Sequence, residues 1–223
     1  MTSTDAIDPE LLRPRYTLGG ASTILGISPA TMHAWTRQRT YRGADGSQRG
    51  SVALVTTVDA VDELTVPFLG LAEAYVLATF SAAGLSLVHL RPALSFLARE
   101  LAPVSPLTSE TLVTRGPEVL HRYEDPTVFA ALLAAADPPR FREPVERLLA
   151  GITYRDGRAS AIRLPGRSPA VVLDPRRDAG RPTLARSGVG VTDVISRLAA
   201  GQPAEQVALE TGADLDDVRL LRH

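Results

Sequence analysis

Residues 16–35 read YTLGGASTILGISPATMHAW, and the folding of this stretch decides the class of the amino-terminal half. Ala21, Ile24 and Leu25 recur at helical spacing. Gly26 can end that helix, because glycine takes the left-handed backbone at little cost. Ser28 then offers an N-cap, and Pro29 suits the first helical position, where no amide donor is missed. In the helix that follows, Met32, Trp35 and Thr36 share one face and Ala30, His33, Ala34 and Arg37 the other. The expectation is two short helices joined by a tight turn, with the chain's single tryptophan as the core anchor of the second.

Working outward, TYRGADGSQRGSVALVTTV has the pattern of a hairpin turning at Asp45-Gly46, with β-branched Val52 to Val58 as its second strand. Two short helices followed by a small hairpin predict a winged helix-turn-helix. On that reading Ser28, at the head of the second helix, and Ala30, Thr31, His33 and Arg37 face bases or phosphates. Arg39, Arg42 and Arg49 meet the flanking phosphate backbone. The competing reading is a packed helical hairpin with a solvated basic face.

The charge distribution favours the first reading. The 223 residues carry a net charge of −1, and every basic residue is an arginine. From Leu11 to Val58 there are Arg13, Arg15, Arg37, Arg39, Arg42 and Arg49 against the single acid Asp45. A second basic stretch runs from Arg140 to Arg186, and the tail beyond Val191 turns acidic.

Between these regions, Pro67 to Phe80 is almost wholly apolar, with Glu73 its one charge. A membrane span needs roughly 20 such residues, so the stretch predicts a helix buried on all sides, a candidate dimer interface. Ser86 is placed to cap a further helix to Leu101. Pro103 to Pro106 reads as a hinge, Thr111–Thr114 and Val119–Tyr123 as short strands, and Glu143–Ala150 as a helix. ITYRDGRASAIRL alternates about an Asp156-Gly157 turn and predicts a hairpin, with AVVLDP as another strand. Three helices follow: Val191–Ala200 closed by Gly201, Pro203–Thr211 closed by Gly212, and Asp214–Leu221 capped by Asp214. The fold class is mixed α/β, mostly α. Residues 1–102 form the winged helix-turn-helix domain with long apolar helices, 103–165 a connecting α+β segment, and 166–223 a domain of a small β-hairpin and three helices. The tail has a helix-turn-helix rhythm of its own, but Asp214, Asp216 and Asp217 would repel phosphates, so it reads as a fold element or a protein-binding surface rather than a second DNA reader.

Composition narrows the chemistry. With no cysteine there is no disulfide framework and no thiolate site. The start MTSTDAIDPE lacks the basic and apolar segments of a signal peptide, so a cytoplasmic setting is expected. His33, His89, His121 and His223 are scattered, and no Gly-x-Ser-x-Gly elbow, phosphate loop or His-Glu-x-x-His is present. Asp125 with Asp137 or Glu143 could form an acid pair, but nothing brings them together. No catalysis, metal or cofactor is expected.

YTLGGASTILGISPATMHAW resembles the head of MerR-like winged-helix regulators. The tail VVLDPRRDAGRPTLARSGVGVTDVISRLAAGQPAEQVALETGADLDDVRLL is similar to a small bacterial antitoxin domain. The similarity is carried by Val171, Val172, Asp174, Pro175, Gly180, Pro182, Gly188, Gly201, Ala208 and Gly212. Together they resemble a VapB-type antitoxin with a MerR-like head, the mate of a PIN-domain ribonuclease toxin. The resemblance implies a homodimer that neutralises the toxin and represses its own operon at a palindromic operator. It also implies that an arginine could pair with the toxin's metal-binding carboxylates; Arg176, Arg177, Arg181, Arg186, Arg219 and Arg222 mark the region. The alternative is a MerR-like ligand-responsive regulator without a toxin partner, although the missing cysteines count against its metal-sensing form.

Overall fold

The computed structural model describes residues 7–37, 39–42, 48–51, 53–82, 105–110 and 150–222. They fall into two compact units, residues 1–150 with 154–159, and 151–153 with 160–223.

In the first unit, α1 (Pro9–Leu12) begins at Asp8, whose carboxylate accepts the Glu10 N–H at 3.0 Å. β1 (Pro14–Tyr16) pairs antiparallel with β4 (Val66–Pro67). Between them lie α2 (Leu18–Leu25), α3 (Pro29–Thr36) and the antiparallel pair β2 (Arg39–Arg42) and β3 (Gln48–Ser51). Then comes α4 (Phe68–Ala82), buried at every residue from Phe68 to Leu77. A helix apolar all round needs neighbours on every side, and α4 packs against α1, α2, β1, β4 and the turn Pro106–Thr108. The core joins Trp35 and Met32 to Val55, Val66, Phe68, Leu71, Val76 and Leu77. No helix among the described residues is long and apolar enough to cross a membrane.

One expectation is corrected by the structure: the second hairpin strand is Gln48–Ser51, and residues 53–58 form no hairpin strand. Leu54 and Val55 instead donate their N–H groups to the Trp35 carbonyl, at 2.8 and 3.2 Å, and bury their side chains. The β-branched content of this stretch thus serves the core at the end of α3 rather than strand pairing. Of the expected hinge Pro103–Pro106, the last two residues are described. Ser105 is buried, and Pro106–Thr108 forms a 3-10 turn against α4. The Asp45-Gly46 turn, the helix expected to Leu101, the strands 111–114 and 119–123, and residues 143–149 of the helix expected over Glu143–Ala150 lie outside the described residues, as do His89, His121, His223 and Asp125 with Asp137.

Beyond residue 150 the expected hairpin is part of a larger sheet. β5 (Ile152–Arg155), β6 (Arg158–Arg163), β7 (Val171–Leu173) and β8 (Thr183–Leu184) lie in chain order. β6–β7 and β7–β8 are antiparallel, with Ile162 opposite Leu173 and Val171 opposite Leu184. Three helices follow: α5 (Val191–Ala199), α6 (Ala204–Thr211) and α7 (Leu215–Leu220). Leu184, Val194, Ala204, Val207, Ala213 and Val218 form their common core. Asp214 caps α7, accepting the N–H groups of Asp216 and Asp217 at 3.0 and 3.3 Å.

Candidate nucleic-acid interface

The α2–α3 unit is set by its caps. Thr17 Oγ1 accepts the Gly20 N–H at 2.9 Å and starts α2. Gly26 ends it with φ 67°, in the left-handed region that favours glycine. The next amide, Ile27 N–H, returns to the Ser22 carbonyl at 3.0 Å, so the turn is closed by backbone bonds. Ser28 Oγ accepts the Thr31 N–H at 3.0 Å, and Pro29 opens α3. Each cap satisfies amides that the first turn of a helix leaves without partners.

This geometry sorts the residues of α3. Met32 and Trp35 are fully buried and hold the helix to the body of the unit. Ser28, Ala30 and Arg37 are exposed, and Thr31, His33 and Ala34 are half-exposed. The outward side is therefore small and polar near the helix N-terminus and basic at its end. No acid lies on α3. Arg39, Arg42 and Arg49 lie on β2 and β3, where the register places Arg39 opposite Ser51, Arg42 opposite Gln48 and Arg49 opposite Tyr41.

Arg13 and Arg15 belong to a different group. Glu10 pairs with Arg13 at 3.0 Å and with the buried Arg15 at 2.6 Å. The acid lies one residue before the basic stretch counted from Leu11, so the sequence window concealed this pairing. Arg15 therefore fixes α1 to β1 and adds nothing to an outward positive field.

In the second unit the arginines of the candidate toxin region are all exposed. Arg177 pairs with Asp174 at 3.7 Å, Arg181 with Asp178 at 2.6 Å, and Arg219 with Glu205 at 2.8 Å. Arg186 lies 3.4 Å from Asp214. Arg176 donates its backbone N–H to Asp174 at 2.9 Å, and the charge of Arg222 is felt by Glu205. The Arg219 hydrogen bond first, then the Glu205 backbone, hold the Glu205 carboxyl below the ordinary carboxylate range. The backbone amides of Asp217 and Asp216, with Arg186, do the same for Asp214. Exposed pairs of this kind contribute little and exchange partners readily.

Sequence reasoning passed over one polar network, although its signal, the lone charge in an apolar helix, was visible. Glu73 is buried in α4 and accepts hydrogen bonds from Thr56 and Ser105. Burial pushes its carboxyl above the ordinary range, against the pull of those bonds.

The profile of a family described as "Putative DNA-binding HTH domain" matches residues 14–94, which include the α2–α3 unit and the hairpin. The chain is 36% identical over 219 residues, 92% of its own length and 91% of the relative's, to "Putative antitoxin VapB45" of Mycobacterium tuberculosis. The chain belongs to the VapB-type antitoxin family. A crystal structure titled as that of Rv2018 from Mycobacterium tuberculosis superposes on this VapB-type chain with a TM-score of 0.76 at 35% identity. That match covers 95% of this chain and 98% of the other. The helix-turn-helix built by those caps lies within the segment that the DNA-binding profile matches.

Proposed function

We propose that the chain is the antitoxin of a type II toxin–antitoxin pair, neutralising a PIN-domain ribonuclease and repressing its own operon as a homodimer on operator DNA. The observation that carries the DNA-binding half is the two-sided character of α3. Trp35 and Met32 are sealed in the core while Ser28, Ala30 and Arg37 stand outward. A short, close-approaching helix with a basic end suits the major groove, where an alanine methyl can pack on a thymine methyl and arginines meet guanine or phosphate. Ser28, Ala30, Thr31, His33 and Arg37 are the proposed contacts, and Arg39, Arg42 and Arg49 on the wing-like hairpin are proposed for the flanking phosphates. The head is proposed to be MerR-like, and residues 1–102, 103–165 and 166–223 to serve as DNA-binding, connecting and toxin-binding parts.

The toxin-binding half is supported by the similarity to "Putative antitoxin VapB45", matched over 91% of that protein's length. In this reading one of Arg176, Arg177, Arg181, Arg186, Arg219 and Arg222 pairs with the toxin's carboxylates, and for Arg177, Arg181, Arg186 or Arg219 it does so by giving up a weak surface pair. The protein acts in the cytoplasm by binding, without catalysis or cofactor.

Co-expression tests the proposal. Growth arrest by the nuclease encoded beside this gene should be relieved by the full chain, and the two should co-purify. A neighbour that is no nuclease, or a nuclease that stays active and unbound, contradicts the antitoxin assignment and favours a ligand-responsive regulator.

A further inference from the structure

α4 holds one residue, Thr56, at both ends of its backbone. Glu73 Oε2 accepts the Thr56 N–H at 2.6 Å, and Oε1 accepts the Thr56 and Ser105 hydroxyls at 3.1 and 2.6 Å. One turn earlier on the same helix, a Cβ added to Gly70 would lie 2.2 Å from the Thr56 carbonyl oxygen. The helix therefore approaches this peptide as closely as a glycine permits. Thr56 directly follows Leu54 and Val55, whose N–H groups both end on the Trp35 carbonyl in the last turn of α3. The hairpin leaves the same place: β2 starts at Arg39, just past Thr36, and β3 ends at Ser51, three residues before Leu54.

Glu73 is 5% exposed and has no ion pair among the described residues. A buried carboxylate is a costly way to fill space, and an apolar side chain of similar size often stabilises as well or better. What the carboxylate supplies is direction, because it accepts one particular backbone N–H. We infer that Glu73 is a positioning residue for DNA binding: with Gly70 it fixes Thr56, and through Thr56 the angle at which the β2–β3 hairpin departs from the end of α3. The inference rests on the DNA-binding role proposed for this head and deepens it.

The test uses the full chain and a duplex of the DNA immediately upstream of its own gene, with binding measured across a salt series. Glu73→Met removes the acceptor while keeping the size. Glu73→Gln keeps an oxygen for the Thr56 N–H and offers its NH₂ to the hydroxyls. The Met variant is expected to bind about tenfold more weakly, and its salt slope to fall by about one unit for each phosphate it no longer neutralises. The Gln variant should bind like the wild type. A role confined to stability would shrink the active fraction and leave the slope unchanged. A folded Met variant with the wild-type slope overturns the inference while leaving the DNA-binding reading intact; a wild type that fails to bind at low salt overturns both. Should the Met variant not fold, amide exchange in the wild type decides. Leu54, Val55 and Thr56 should exchange as slowly as the centre of α4, and loop-like exchange there would overturn the inference.

Discussion

Trp35, 1% exposed, joins the helix-turn-helix to the core, and its carbonyl receives two amides from the chain beyond the hairpin. Replacing it by alanine should destabilise the protein by about 3–5 kcal/mol, read as a lower denaturant midpoint. A shift of less than about 1 kcal/mol would place the indole outside the cooperative core. Its burial was legible because a lone aromatic sat opposite small and basic residues on a short amphipathic helix. The role of Glu73 was not, since its partners Thr56 and Ser105 lie 17 and 32 residues away in sequence. Burial raises its folded-state pKa above the unfolded one, so the carboxyl's contribution to stability is present below the usual carboxylate range and lost as pH rises through the folded value. The wild type should therefore lose stability relative to Glu73→Gln between acid and neutral pH. Parallel denaturation midpoints across that range would show that burial does not govern this group.

At the level of elements, the caps made the helices readable. Gly26, Ser28, Gly201, Gly212 and Asp214 each mark a boundary that the structure reproduces. Gly26 has φ 67°, so Gly26→Ala should cost about 1 kcal/mol in thermal or denaturant unfolding. Ser28→Ala, which removes the acceptor for Thr31 N–H, should cost about 1 kcal/mol as well. No measurable loss in either would mean that the turn between α2 and α3 is not built as described. What was not legible were the short strands. β4 and β8 have two residues each, too few for an alternating pattern to register. Val52–Val58 misled because β-branched residues suit a packed core segment as well as a strand.

For the whole molecule, the second unit has its own core, from Leu184 to Val218, made of different residues from those around Trp35. A chain ending before Val191 should keep the fold and DNA affinity of the head and lose neutralisation of the nuclease; a truncate that still neutralises would move the toxin-binding part elsewhere. Composition had located the basic head, but only the structure showed that Arg13 and Arg15 share the carboxylate of Glu10, which is why the arginines at and beyond the end of α3 are the ones proposed to meet phosphates. DNA binding by the head is proposed to depend on those arginines, and the salt dependence of duplex binding is its most direct test. Comparing the wild type with the Arg37→Ala, Arg39→Ala double variant on DNA from upstream of the gene, the slope of log affinity against log salt should fall by about two units in the variant. An unchanged slope and affinity would contradict the claim that α3 and its hairpin form the DNA-binding face.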